Sequence, residues 1–529
     1  MAQLIQEFIF QSALRAPQAP ALSYQGVSLS YAGLAAMVGA AAGAWLRCGL
    51  APGERVAVYL EKREEAVAAM FGAAAAGGVF VPVNPLLKAE QVAHVLADCN
   101  VRILVTSRER LNRLLAVLPS CPDLRTVVLV GGMEDKLPAA PGLDLLAWHG
   151  CMAVASVATP HRRIDTDVAA ILYTSGSTGK PKGVVLSHRN LVAGAVSVAS
   201  YLDNRAEDRI LCVLPLSFDY GLSQLTTAFH SGACAVLMNY LLLRDIIDTV
   251  EQERITGLAA VPPLWIQLAQ LSWNSATGLR YITNSGGVMQ RRTLDALRRA
   301  LPSTKVYLMY GLTEAFRSTY LAPEQLDRRP DSIGKAIPNA EVLVLRADGT
   351  PCGPNEPGEL VHRGALVALG YWNDAARTAL RFRPLPPRLP GLPLQEAAVW
   401  SGDTVRTDEE GYLYFIGRSD DMIKTSGYRV SPTEVEDVVY ASGLVSEAAA
   451  VGVPHPQLGQ AIVLAAVVPN AVPASAEQVL AACKAALPTY MVPAWVKLYD
   501  GPLPRNPNGK IDRPLLAAGL AAAANGERA

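Results

Sequence analysis

Three features of the chain predict a layered α/β fold: a large N-terminal domain of α/β subdomains, a small β-barrel-like subdomain within it, and a small α+β C-terminal domain. Ala-rich helical stretches alternate with short Val- and Ile-rich strands through the first half, the pattern of a largely parallel sheet covered by helices. In the second series, strand after strand runs into a loop of small and polar residues. Near Arg418 the pattern breaks, leaving a unit of roughly a hundred residues, a normal domain size.

The elements follow in order. Gln3 to Arg15 reads as a short amphipathic helix. ALSYQGVSLS (Ala21 to Ser30) alternates as a hairpin turning at Gln25-Gly26. Tyr31 to Cys48 reads as a helix, Arg55 to Leu60 as a strand, Arg63 to Ala76 as a helix and Val79 to Val83 as a strand. The helix Ala89 to Asp98 and the strands Val101 to Thr106 and Arg125 to Val130 continue the alternation. Strands at Ile210 to Leu214, Ala233 to Leu237, Gly257 to Val261, Tyr281 to Ser285 and Lys305 to Met309 form the second series. In such sheets ligands bind at the carboxyl ends of the strands, so their loops are expected to converge. Ile333 to Val361 switches to short alternating strands, the β-barrel-like subdomain. RPLPPRLPGLP (Arg383 to Pro393) is a proline-rich surface loop. The last unit reads as the helix Pro432 to Ala441, strands Glu447 to Val453 and Ala461 to Val468, and the helix Ala476 to Ala486. The expected boundaries are 1–418 for the large domain, 419–420 for the break between domains, 421–516 for the small domain and 517–529 for a disordered Ala/Gly-rich tail.

Composition narrows the classes. Half of the 529 residues are hydrophobic and 18% are charged, so a large core can be buried. Lys+Arg and Asp+Glu both number 47. That neutrality argues against a nucleic-acid binder or a polybasic membrane protein. The eight cysteines show no CxxC pairing, which speaks against a disulfide framework or a zinc site. The N-terminus carries an acid where a signal peptide would be basic. The most apolar window, Ala66 to Val83, reads as a buried helix running into a strand, not as a membrane span. A reducing cytoplasm is the expected setting.

One stretch, ILYTSGSTGKPKGVVLSH (Ile171 to His188), carries chemistry on its face. Two apolar runs flank a loop of Thr, Ser, Gly and Lys. Glycines let backbone N–H groups approach an anion closely, and hydroxyls and ammoniums add donors. This is a phosphate-handling loop. It is not a Walker loop, because Thr174 stands where that motif needs Gly, and Pro181 follows Gly179-Lys180.

The loop resembles the signature of the adenylate-forming superfamily of acyl-CoA synthetases, carrier-protein-loading adenylation domains and luciferases. The resemblance implies an acetyl-CoA synthetase-like fold and assigns Thr174, Ser175, Gly176, Ser177, Thr178, Gly179, Lys180 and Lys182 to the β- and γ-phosphates of ATP. YGLTE (Tyr310 to Glu314) is the second match. It implies that Tyr310 stacks on adenine, with Gly311 beside it, that Thr313 touches the α-phosphate and that Glu314 binds Mg²⁺. A carboxylate near a triphosphate needs a divalent cation between them, so that role is self-consistent. The pair Gly286-Gly287 closes another strand on the nucleotide side. Asp403 in VWSGD resembles the carboxylate that takes both ribose hydroxyls. In GRSDDMIK, Arg418 matches an arginine near ribose and phosphate, and Asp420 the hinge. Lys424, Gly427 and Arg429 match positions that face the site in one or the other domain orientation. Lys510 in RNPNGKIDR matches the lysine that bridges the substrate carboxylate and the α-phosphate. From PVNP (Pro82 to Pro85) to Lys510 the motifs stand in the family's order. Across the full length the chain is most similar to AMP-forming acyl-CoA ligases associated with exosortase A systems, with likeness to proline-loading carrier-protein ligases.

PLSFDYG (Pro215 to Gly221) bears on the acid. Many acyl-CoA synthetases carry His where this chain has Phe218. Amino-acid-activating domains carry Phe-Asp, whose Asp pairs with the α-ammonium, and a buried carboxylate favours a cationic partner. Asp219 is thus a candidate for a substrate ammonium; the alternative is an Asp paired with a helix N-terminus or an arginine. Trp265, Asn284, Gly286 and Phe316 complete the candidate pocket. The resemblance implies ATP and Mg²⁺, a carboxylic or amino acid as substrate, and a phosphopantetheine thiol of CoA or a carrier protein as acceptor. An oxygenase using the adenylate and a non-catalytic binding module are the rival classes.

Overall fold

The computed structural model describes residues 2–131, 141–154, 159–174, 181–274, 277–385, 395–418, 421–425, 428–455, 458–469, 474–487, 489–507 and 509–526. Four sheets organise them. The largest, of nine strands, runs Lys335–Ala336, Thr319–Leu321, Lys305–Tyr310, Tyr281–Asn284, Gly257–Ala260, Arg209–Cys212, Cys234–Leu237, Pro20–Tyr24 and Val27–Ser30. Its centre is parallel, and both edges are antiparallel. The eight-stranded sheet is parallel from Val168–Thr174 through Val79–Pro82 out to Asp144–Ala147 and closes with the antiparallel pairings of Lys182–Ser187 and Gly370–Tyr371. The expected alternation is present; the sheets are mixed because hairpins cap the parallel runs.

Between the two large sheets lie the helices Tyr31–Arg47 and Glu64–Ala76. Small residues let them approach closely: a Cβ on Gly72 would stand 2.6 Å from that of Ala41. The helix Glu64–Ala76 ends at Gly77, whose φ of 85° is a left-handed cap that L-residues resist. The apolar window therefore does become a buried helix and strand, and no described helix is long and apolar enough to cross a membrane.

The β-rich subdomain is an antiparallel five-stranded sheet of Ala340–Leu345, Gly358–Gly364, Ala397–Thr407, Phe382–Pro384 and Leu413–Arg418. Most of the proline-rich loop, 386–394, lies outside the described residues, as do Ser175 to Lys180, Asp420 and Gly427. The last unit is a five-stranded sheet with the helices Pro432–Ala441 and Ala476–Ala486. It includes the parallel strand Trp495–Tyr499, which the sequence reading lacks. The expected disordered tail needs correction. Arg513–Gly526 is helical, with Leu516 and Leu520 each 2% exposed against Ala449 and Val451. Alanine is the best helix former, and this i, i+4 leucine pair supplies the burial that holds such a helix in place.

Candidate active site

The phosphate-loop hairpin is built by pairing Val168–Thr174 with Lys182–Ser187, Thr174 standing opposite Lys182. Thr174 Oγ1 is buried and has no hydrogen-bond partner among the described residues, which suits a phosphate oxygen as its partner. Lys182 Nζ donates to Glu314 Oε1 at 2.8 Å and to the Tyr371 hydroxyl at 2.7 Å. Tyr371 in turn donates to Glu314 Oε1 at 2.6 Å. Burial alone would raise the Glu314 carboxyl, but the Lys182 ammonium and the Tyr371 hydroxyl outweigh it and hold the pKa at about 2. Glu314 is thus a buried, ionised carboxylate. Mg²⁺ is characteristically held by one or two carboxylates together with substrate phosphates, and this donor set fits it.

Tyr310 ends the strand Lys305–Tyr310, and its hydroxyl donates to Asp403 Oδ2. Burial first, and then the Asp403 carboxylate, push the Tyr310 phenol well above its ordinary range. The Tyr310 ring lies nearly parallel to His362, with 6.1 Å between centroids and 11° between planes. Asp403 Oδ1 meets Arg418 Nη1 at 3.1 Å, across paired strands that put the two residues in register. YGLTE, SGD and Arg418, far apart in the chain, therefore join at one place. Thr313 and Glu314 are each 7% exposed in the turn that follows Tyr310 and Gly311.

Lys510 comes from the last unit. RNPNGKIDR folds as a tight turn in which Asn506 donates its N–H to Lys510 O at 2.8 Å, and Lys510 donates its own to Asn506 Oδ1 at 3.1 Å. Asn84 in PVNP donates from Nδ2 to Pro507 O at 3.0 Å, tying that turn to the large domain. Lys510 as a whole is exposed. Its Cε lies 3.8 Å from where a Cβ on Gly286 would stand. Loss of water around the ammonium lowers its pKa, while the carboxylates of Asp219, Asp403 and Glu314 act in the opposite sense. One cation thus feels all three carboxylates together.

The same absent Cβ on Gly286, where φ is 82°, would lie 3.7 Å from Phe218 Cζ. A side chain there would narrow the passage between Phe218 and Lys510. Phe218 caps the helix Asp219–Ser231, so Asp219 sits in its first turn, 4% exposed, where the helix dipole favours a carboxylate. Arg317 Nη2 lies 4.0 Å from Asp219 Oδ2. Asn284 donates from Nδ2 to Gly287 O at 3.0 Å, and its Oδ1 has no partner among the described residues.

Two expected pocket residues, Trp265 and Phe316, are fully buried side chains. Trp265 is fully buried and donates from Nε1 to Ala260 O and Thr283 O, both at 3.1 Å. Phe316 is fully buried against Gly194, where a Cβ would come within 2.7 Å of the Phe316 ring. Each adjoins a strand-end motif, which is what suggests a pocket role in the sequence. Lys424 and Arg429 stand opposite each other in register on the short strands Ile423–Thr425 and Tyr428–Val430. The sequence reading lacks Tyr371, Asn84 and Arg317 as site residues. The available signals were the Gly370-Tyr371 strand, the asparagine between two prolines, and an arginine inside an otherwise apolar strand approach.

The AMP-binding enzyme family matches residues 9–372, and its AMP-binding enzyme C-terminal domain matches residues 434–510. An indoleacetate–CoA ligase of Aromatoleum aromaticum is 30% identical over 518 residues, covering 96% of each chain. A feruloyl-CoA synthase of Amycolatopsis is 30% identical over 94% of each chain. A linear gramicidin synthase polypeptide of Brevibacillus parabrevis is also 30% identical over 95% of this chain, which spans only 9% of that protein. Among solved structures, ATP-bound MatB from Rhodopseudomonas palustris superposes with a TM-score of 0.86 at 25% identity, covering 98% of this chain and 99% of that one. The o-succinylbenzoate CoA synthetase of Bacillus subtilis, solved with ATP and magnesium, gives 0.81 at 26% identity, covering 96% and 98%. With the site's motifs assembled on this fold, the chain belongs to the AMP-binding enzyme family of adenylate-forming proteins.

Proposed function

We propose that this chain is an acid–thiol ligase: it activates a carboxylic acid as its acyl-adenylate at the expense of ATP, then passes the acyl group to a phosphopantetheine thiol, that of CoA. The observation that carries the reading is the Lys510 ammonium, set beside Gly286 and facing Asp219, Asp403 and Glu314. Two anions, a carboxylate and a triphosphate, must meet for adenylation, and a fixed cation between them lowers the barrier.

The carboxylate oxygen attacks the α-phosphorus and pyrophosphate leaves. Lys510 neutralises the charge shared by the carboxylate and the α-phosphate, with Thr313 beside it. Thr174, Lys182 and the loop Ser175 to Lys180 hold the departing pyrophosphate. Glu314 would hold Mg²⁺, which supplies charge neutralisation on the phosphates. Asp403, oriented by Tyr310 and Arg418, takes the ribose. The small domain then turns about Asp420, withdraws Lys510 and brings Lys424 and Gly427 to the site, where the thiol attacks the acyl carbonyl and AMP leaves.

Full-length likeness to an indoleacetate–CoA ligase and a feruloyl-CoA synthase supports CoA as acceptor. A carrier-protein thiol is the second reading, supported by the equal likeness to a segment of a gramicidin synthase and by Asp219 as a partner for an amino group. The test is acid-dependent ATP–pyrophosphate exchange over a panel of carboxylic and amino acids, followed by turnover with CoA and with a holo carrier protein. Exchange with no acid would sink the ligase reading.

A further inference from the structure

Beside Asp219 lies a buried charge that the reaction above leaves unused. Arg317 is 2% exposed, yet its Nε and Nη2 have no hydrogen-bond partner among the described residues. Its guanidinium lies over the Tyr220 ring, 4.5 Å from the centroid. At 4.0 Å from Asp219 the pair is attracted, but the separation exceeds a hydrogen bond of about 2.7–3.2 Å, so neither group satisfies the other. The backbone is held in an uncommon state as well. Phe316 and Arg317 have φ of 32° and 111°, the side of the map that non-glycine residues seldom adopt. Strain of this kind is kept where surrounding structure enforces it, and it clusters at ligand clamps.

Three fixed charges therefore serve the acid: Lys510, Asp219 and Arg317. The reacting carboxylate answers Lys510. An ammonium answers Asp219, and a second anion answers Arg317. A plain monocarboxylic acid leaves the donors of Arg317 unmet. A neutral amino acid does the same and leaves one positive charge uncompensated. A dicarboxylic acid without an amine sets its second carboxylate against Asp219. An acid with two carboxylates and one ammonium balances all three, and the 4.0 Å between Asp219 and Arg317 matches neighbouring groups on one small molecule.

We propose that Arg317 is a specificity-determining residue that takes a second carboxylate, so that the substrate is an amino dicarboxylic acid of the size of aspartate or glutamate. This rests on the ligase reading of the same site. The test is ATP–pyrophosphate exchange by the full chain with aspartate, glutamate, their amides asparagine and glutamine, succinate, glutarate, proline and alanine, with aliphatic and aromatic acids alongside. Expected is a kcat/KM for aspartate or glutamate at least ~10²-fold above that for the matching amide, because the site rejects an analogue that leaves a buried charge unpaired. Arg317→Met should collapse that acid-to-amide ratio, and Arg317→Lys should keep part of it. A wild-type chain that prefers amides, neutral amino acids, diacids or simple acids overturns the assignment to Arg317 and leaves the ligase reading standing. Exchange with none of the acids overturns the ligase reading itself. Thermal melts show whether the variants fold; should they fail to, the wild-type panel still decides.

Discussion

Lys510→Ala removes the cation set to face both anions, and it should slow adenylate formation by ~10²–10³-fold. Transfer from a synthetic acyl-adenylate to thiol should be far less affected, since the proposed mechanism withdraws Lys510 in that step; single-turnover assays of each half-reaction check the contrast. Glu314 gives a pH prediction. Its carboxyl titrates at about 2 in the folded chain against an ordinary 4.5, so folding favours the ionised form. The resulting stability, about 3 kcal/mol, is present above pH 4.5 and drains away as pH falls towards 2. Acid unfolding of the wild type should therefore be steeper in that window than that of Glu314→Gln. At this scale the meeting of YGLTE, SGD and Arg418 was legible because each lies in a short contiguous signature. Tyr371 was not: its partner Lys182 lies 189 positions away, and only folding brings the hydroxyl and ammonium groups together.

At the level of elements, the close contact of Tyr31–Arg47 with Glu64–Ala76 depends on absent side chains. Gly72→Val would place carbon within 2.6 Å of Ala41 Cβ and should destabilise the chain by roughly 1–3 kcal/mol, read as a lower urea midpoint with an unchanged slope. Helices and parallel strands were readable because hydrophobic runs, glycines and prolines bound them sharply; Ala89–Asp98, Pro432–Ala441 and Ala476–Ala486 match the sequence reading to the residue. The helix Arg513–Gly526 was not, because Ala- and Gly-rich composition is shared by frayed tails and by helices anchored through two leucines. The antiparallel caps on the large sheets were hidden for a related reason: strand direction is set by pairing, which local sequence does not carry.

Across the whole molecule, the reacting centre is shared between bodies. The Asn84–Pro507 hydrogen bond fastens the Lys510 turn to the large domain. Asn84→Ala should loosen this docked arrangement by about 1 kcal/mol and slow adenylation about fivefold, while the thiol-transfer half-reaction holds or gains. Domain order and the broad division of the chain were visible in composition and motif order, but this dock was not, since nothing local in PVNP says that it meets a turn 423 residues further on. The Lys182–Glu314–Tyr371 cluster has a consequence of the same reach. It joins a hairpin of one large sheet to a strand end of the other, and its carboxylate already has an ammonium for company. A divalent ion arriving alone must evict that tenant without offering it anywhere to go. On the proposed reading the nucleotide would offer Lys182 a phosphate, so metal and nucleotide would enter as one salt. Titration calorimetry should record almost no heat for magnesium alone and a single binding event for the magnesium nucleotide.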